Sequence, residues 1–143
     1  MLHFYSLNCL IYKTVNIKGD WNEKDSCISY RMPTNNIIPM YTNIANFGAA
    51  LEIDSLGIAT CEGILTHRLI DGSCELVMKL QKLENKSWTT ISTWTEEGST
   101  KCSIYKNKAV SRGTYRVAVT AKIYDSSGSL VETQSVYSIT DTY

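Results

Sequence analysis

His67, Asp71 and Ser73 stand close together in the chain and are the three residue types of a hydrolytic triad. A triad needs a nucleophile within hydrogen-bond reach of a histidine that a buried carboxylate orients. Three residues on one short polar loop rarely meet that geometry, and no Gly-x-Ser-x-Gly elbow presents a strained serine. An ordinary solvated loop with an exposed, dispensable His67 outweighs catalysis, and the chain is not expected to be an enzyme. Asp54, Asp71 and Asp125 each precede a turn glycine and could gather oxygens around calcium. None opens the Asp-x-Asp-x-Asp-Gly spacing of a dedicated loop, and Asp is favoured in turns for its own backbone hydrogen bonds. No metal and no cofactor are expected. Glu96 and Glu97 are adjacent carboxylates at a turn ending in Gly98. Glycosidase pairs flank a cleft with carboxyl groups about 5–9 Å apart, and nothing in the sequence places these two in one.

The five cysteines, Cys9, Cys27, Cys61, Cys74 and Cys102, include no Cys-x-x-Cys pair and no zinc spacing. Cys61, Cys74 and Cys102 fall on apolar phases of predicted strands, where a buried free thiol behaves as a small hydrophobe. One bridge among the three stays open, because sandwich cores can carry an inter-sheet disulfide.

Nine Tyr and three Trp are the better functional lead. Such side chains give large, rigid contact area at low entropic cost, and a flat set of them could stack on sugar rings. Trp88 beside the Glu84–Ser87 turn, with Tyr105 and Tyr124 on wet phases or strand ends, are the candidates for ligand stacking. The competing reading is that aromatics are favoured in strands and stabilise sheets as cross-strand pairs.

The elements that must position these residues are strands. In Thr114–Tyr124, Tyr115, Val117, Val119, Ala121 and Ile123 take every second place, and Thr114, Arg116, Thr120 and Lys122 fall between them. Only a strand has period two, so one face is buried and the other wet. Gly113, two residues before Tyr115, suggests a tyrosine corner, whose ring packs and whose hydroxyl bonds back to upstream backbone. The same alternation marks Ala45, Phe47, Ala49, Leu51 and Ile53. Ala59, Cys61, Gly63 and Leu65 are inner positions of the next strand, and Cys74, Leu76, Met78 and Leu80 of the one after. Trp88 and Trp94 share a parity that Ile91 breaks, which predicts a bulge or an outward Trp88. Turn signals at Asp54–Gly57, Asp71–Gly72, Glu84–Ser87 and Asp125–Ser129 separate the runs. The last run, Leu130 to Ile139, is thinly apolar and reads as an edge strand. Together these patterns predict an all-β chain: a single antiparallel immunoglobulin-like β-sandwich of about seven strands.

That domain is expected over 35–143. Residues 1–34 read as a poorly ordered extension, part remnant of a signal segment and part linker. The apolar run Met1–Tyr12 has no basic residue ahead of it and no Ala-x-Ala site after it, and is too short to span a bilayer. Trp21 could dock on the sandwich, and Pro33 and Pro39 bracket a short edge strand at 34–38. Fourteen basic residues balance fourteen acidic ones along the whole length. No net field or basic stripe draws the chain to nucleic acid or anionic lipid.

One combination of residues adds a resemblance. Gly57-Ile58-Ala59-Thr60, Leu80-Gln81-Lys82, Ser87-Trp88, Trp94 and Val110-Ser111-Arg112-Gly113-Thr114-Tyr115-Arg116-Val117, with Arg31-Met32, are its residues. Over roughly residues 26 to 143 the chain resembles a family of small secreted proteins of Gram-positive, largely clostridial, bacteria. The most specific part is Leu-Gln-Lys, Ser-Trp and Trp followed by Gly-x-Tyr-Arg-Val. The resemblance implies an exported β-sandwich with no established activity and no catalytic residues to transfer. The chain departs from it in lacking a clear signal peptide and in carrying five cysteines. The expected function is a non-enzymatic extracellular or cell-surface binding or adhesion module for a glycan or a surface protein. The alternative is a structural interaction domain that pairs through its edge strand without a small ligand. A hydrolase is a distant third.

Overall fold

The computed structural model describes residues 41–143. The N-terminal extension, Trp21, Cys9, Cys27 and the strand expected at 34–38 lie outside the described residues. Eight strands follow one another: β1 (Ile44–Ile53), β2 (Ile58–His67), β3 (Ser73–Glu84), β4 (Ser87–Gly98), β5 (Lys101–Ala109), β6 (Thr114–Tyr124), β7 (Leu130–Tyr137) and the two-residue β8 (Asp141–Thr142). One sheet has the order β1-β2-β5, the other β4-β3-β6-β7 with β8 beside the start of β6, and every pairing is antiparallel. This is the all-β sandwich that the alternating runs predict. No helix of the described residues is long and apolar enough to cross a membrane.

The core lies between the inner faces. Leu51, Ala59, Cys61, Leu65, Cys102 and Ile104 come from the first sheet, and Cys74, Leu76, Met78, Leu80, Tyr115, Val117, Val119, Ala121 and Ile123 from the second. Each fully buried Leu, Ile or Val contributes about 1.5–3 kcal/mol of transfer free energy, which is why period two in the sequence becomes one face in the fold. Gly63 lets the sheets approach: a Cβ there would stand 3.2 Å from Val119 Cγ2. At the start of β1 the register shifts between Ile44 and Asn46, so Ile44 is buried and Ala45, expected inward, is exposed.

Turn chemistry fixes the connections. Asn85 and Lys86 both take positive φ (50° and 65°), the pair of values a type I′ hairpin turn requires. Asp54 Oδ1 accepts the N–H groups of Leu56 and Ile58, and Asp125 Oδ1 accepts those of Ser127 and Ser129 together with the Ser127 hydroxyl. The turn expected at Glu96–Gly98 falls later: β4 runs through to Gly98, because Glu96 and Glu97 still pair with Leu76 and Glu75.

Candidate functional site

Across the five-stranded sheet, the positions between the core residues form a solvent-facing outer surface. Its registers bring together residues that are far apart in sequence. Gln81 of β3 lies opposite both Thr90 of β4 and Arg116 of β6, and Trp88 lies opposite Leu83. Ala118 of β6 lies opposite Tyr137 of β7. The result is a stack at one end of this face. The Arg116 guanidinium carbon sits 4.3 Å from the centroid of Trp88 and 4.2 Å from that of Tyr137. Both distances are inside the range where a cation and a ring quadrupole attract. Arg116 Nε donates to Gln81 Oε1 at 2.8 Å, and Gln81 Nε2 donates to Thr90 Oγ1 at 3.3 Å. The hydrogen bond to Gln81 anchors the guanidinium, which lies over both rings. Among the described residues, the terminal amino groups of Arg116 have no protein acceptor.

A bulge gives Trp88 its place. The β3–β4 register steps between Leu80, opposite Ser92, and Gln81, opposite Thr90, which leaves Ile91 as the extra residue. Trp94 therefore faces Met78 and packs against the core, while Trp88 points out. Farther along the same face, Lys122 Nζ meets Glu75 Oε1 at 2.7 Å, and the carboxylate pushes the ammonium above its ordinary value. Thr120 and Ser135 hydroxyls lie 2.9 Å apart.

The three aromatics singled out from the sequence do not meet. Tyr124 lies opposite Ser73 at the far end of β3 from Trp88, roughly 30 Å away at the usual strand rise. Tyr105 is exposed on the outer side of the other sheet, opposite Glu62. It rims an open cleft of about 280 Å³ between the β4 and β5 edges, lined also by Trp94, Glu96 and Lys106. Arg116 and Tyr137 were not singled out. Arg116 read as one more polar residue on a wet phase, and Tyr137 belonged to the thinnest strand.

The corner residues have a definite geometry. Tyr115 is 1% exposed and its hydroxyl donates to Ser111 O at 2.7 Å. Gly113 has φ 153°, and a Cβ there would stand 2.6 Å from Lys82 Cε. The Lys82 side chain passes over this spot to reach the Ser111 hydroxyl.

His67 requires a correction. It is the last residue of β2, not part of a solvated loop, and is 3% exposed. Its inward parity follows Leu65, and the Asp71–Gly72 turn closes over the ring. Nδ1 accepts the Leu69 N–H at 3.2 Å, so the ring proton sits on Nε2, which lies 2.5 Å from Ser99 O. Both nitrogens are engaged by backbone, while Asp71 and Ser73 are exposed, so the three triad residue types do not converge. Glu96 and Glu97, being neighbours in a strand, face opposite ways, and only Glu96 lines the cleft. Cys61, Cys74 and Cys102 are buried free thiols, and burial pushes Cys61 up to about 11.

No known family model matches the sequence, and no curated protein matches it. A functional reading therefore stands on the geometry of the outer face.

Proposed function

We propose that this chain is a non-enzymatic binding module acting outside the cell or at its surface, and that it engages a protein partner through the outer face of the five-stranded sheet. The observation that carries this reading is the stack Trp88–Arg116–Tyr137. Trp, Tyr and Arg are the residue types that dominate interface hot spots, and here they are pre-ordered by each other and by Gln81. Pre-ordering lowers the entropy lost on association. A protein is favoured over a glycan because Arg116 covers one face of each ring, the surface on which a sugar would stack, and the other candidate aromatics lie elsewhere. The engaged nitrogens of His67 support the non-enzymatic reading. The strand order and the corner at Tyr115 support placing the sandwich in the immunoglobulin-like class. The resemblance to exported proteins of Gram-positive bacteria supports the extracellular setting.

The test is binding of the labelled full chain to cells of its source organism. Saturable binding that Arg116→Ala and Trp88→Ala abolish, and that protease treatment of the cells removes, is the expected result. Binding removed by periodate but not by protease would assign a glycan instead. Binding indifferent to both substitutions would overturn the site.

A second reading rests on β7. It is an open sheet edge, and Leu130, Val131 and nearby Ile139 are exposed, the profile of a strand that can pair with a second copy. Sedimentation at high micromolar concentration decides it. A dimer that Thr133→Pro dissociates supports edge pairing, and a monomer throughout removes it.

A further inference from the structure

Cys74 and Cys102 are each the second residue of a strand, β3 and β5, and those strands belong to different sheets. Both side chains are 2% exposed. The Cys102 thiol donates to Cys74 O at 3.3 Å, which sets the two cysteines beside each other across the gap between the sheets. Gly98, the last residue of β4, closes the site: a Cβ on it would stand 3.3 Å from Cys102 Sγ. Two cysteines from facing sheets thus meet at one end of the sandwich. Cys61 is placed differently, in the middle of β2, where its thiol donates to Ala59 O of its own strand at 4.0 Å.

We propose that Cys74 and Cys102 are a disulfide-forming pair that clasps the two sheets when the chain folds in an oxidising environment. The oxidant is a disulfide, either a small molecule or an exchange protein. The thiolate of one cysteine attacks it, forming a mixed disulfide and expelling one thiol. The second cysteine then attacks the mixed disulfide, forming the Cys74–Cys102 bond and expelling the other thiol. The pair gives up two protons and two electrons, and the donor disulfide becomes two thiols. Since the Cys102 sulfur already lies against the Cys74 backbone, the bond asks for side-chain adjustment rather than a shift of strands. Burial raises both thiols above their ordinary value, which keeps thiolate scarce in the finished sandwich. The bridge therefore forms while the ends of β3 and β5 are still open, and closure of the fold then protects it.

The full chain, unfolded and reduced, is refolded in a glutathione redox buffer or in dithiothreitol, then blocked with an alkylating reagent and mapped by mass spectrometry without reduction. The expected product of the glutathione arm is one linked peptide pair, Cys74 to Cys102, with Cys61 alkylated after unfolding. The link closes a span of 28 residues and should raise the thermal midpoint by on the order of 10 °C over the dithiothreitol arm. Cys61→Ala should keep the link, and the double variant Cys74→Ala, Cys102→Ala should lose the difference between arms. Recovery of both Cys74 and Cys102 fully alkylated from the glutathione arm would overturn the proposal. So would a dominant link from either of them to Cys9, Cys27 or Cys61.

Discussion

Replacing His67 with alanine should be costly, and the structure allows the cost to be worked out. The ring is 3% exposed at the end of β2 and is held by two backbone groups, Ser99 O and the Leu69 N–H. Losing those hydrogen bonds removes about 0.5–1.5 kcal/mol each in net terms. The emptied space lies under the Asp71–Gly72 turn, where a Gly72 Cβ would already stand 3.3 Å from His67 Cε1. A partly collapsed cavity there brings the total to about 2–4 kcal/mol. That is a large share of the 5–15 kcal/mol typical of a whole domain. Urea unfolding followed by tryptophan fluorescence measures it, with Ser73→Ala as the exposed control that should stay within about 0.5 kcal/mol. An unchanged midpoint for His67→Ala would show that the ring is solvated, and the corrected placement of this residue would be refuted.

Tyr115→Phe keeps the ring and removes the hydroxyl's bonds to Ser111 O and Ser111 Oγ, so it should cost about 1–3 kcal/mol, whereas Tyr105→Phe on the exposed face should cost nothing measurable in the same melts. Lys86→Gly should raise stability by about 0.5–1 kcal/mol, since Lys86 holds φ 65° where a Cβ is penalised. Asp125 is held below an ordinary aspartate's 3.8, first by the Ser127 hydroxyl and then by the Ser129 N–H. Its contribution is therefore complete above that value and lost as pH falls through the lower folded one, so acid melts of Asp125→Ala should converge on those of the parent chain. Deleting Ile91 should leave cell binding intact and stability within about 1 kcal/mol, because Ser92 stays inward and Thr90 and Trp88 outward once the extra residue is gone. Loss of binding equal to that of Trp88→Ala would count against the bulge.

The fold was legible because its strongest signals are local. Tyr115 through Ile123, Cys74 through Leu80 and Ala59 through Leu65 alternate without interruption, and their inner phases are those of the core. The turn at Asp54–Gly57 carries its own chemistry, and Gly57 takes a positive φ of 77° there. Departures arose where a tertiary contact decides. Ile44 replaces Ala45 in the core through a register shift, and β8 exists because Asp141 and Thr142 find the start of β6. His67 continues the inward parity of Leu65, but its polarity and the Asp-Gly pair after it suggested a loop. What holds it in the core is the carbonyl of Ser99, 32 positions away.

The outer face was illegible for a related reason. Arg116 sits on the most readable strand of the chain, yet its meaning depends on two neighbours that the sequence does not place beside it. Trp88 reaches it across β3 from β4, and Tyr137 approaches from the opposite side on β7. Periodicity says only that Arg116 is wet. The sheet order brings the two rings to it, and the bulge at Ile91 turns Trp88 outward while Trp94, of the same parity, goes in. Such a cluster has no local sequence signature, because each residue in it is ordinary for its strand. Its cost to assemble falls on the sandwich core, which fixes all four strands whether or not a partner is present. The partner we propose would therefore meet a cation and two rings already held together, and ordering them would cost little additional entropy.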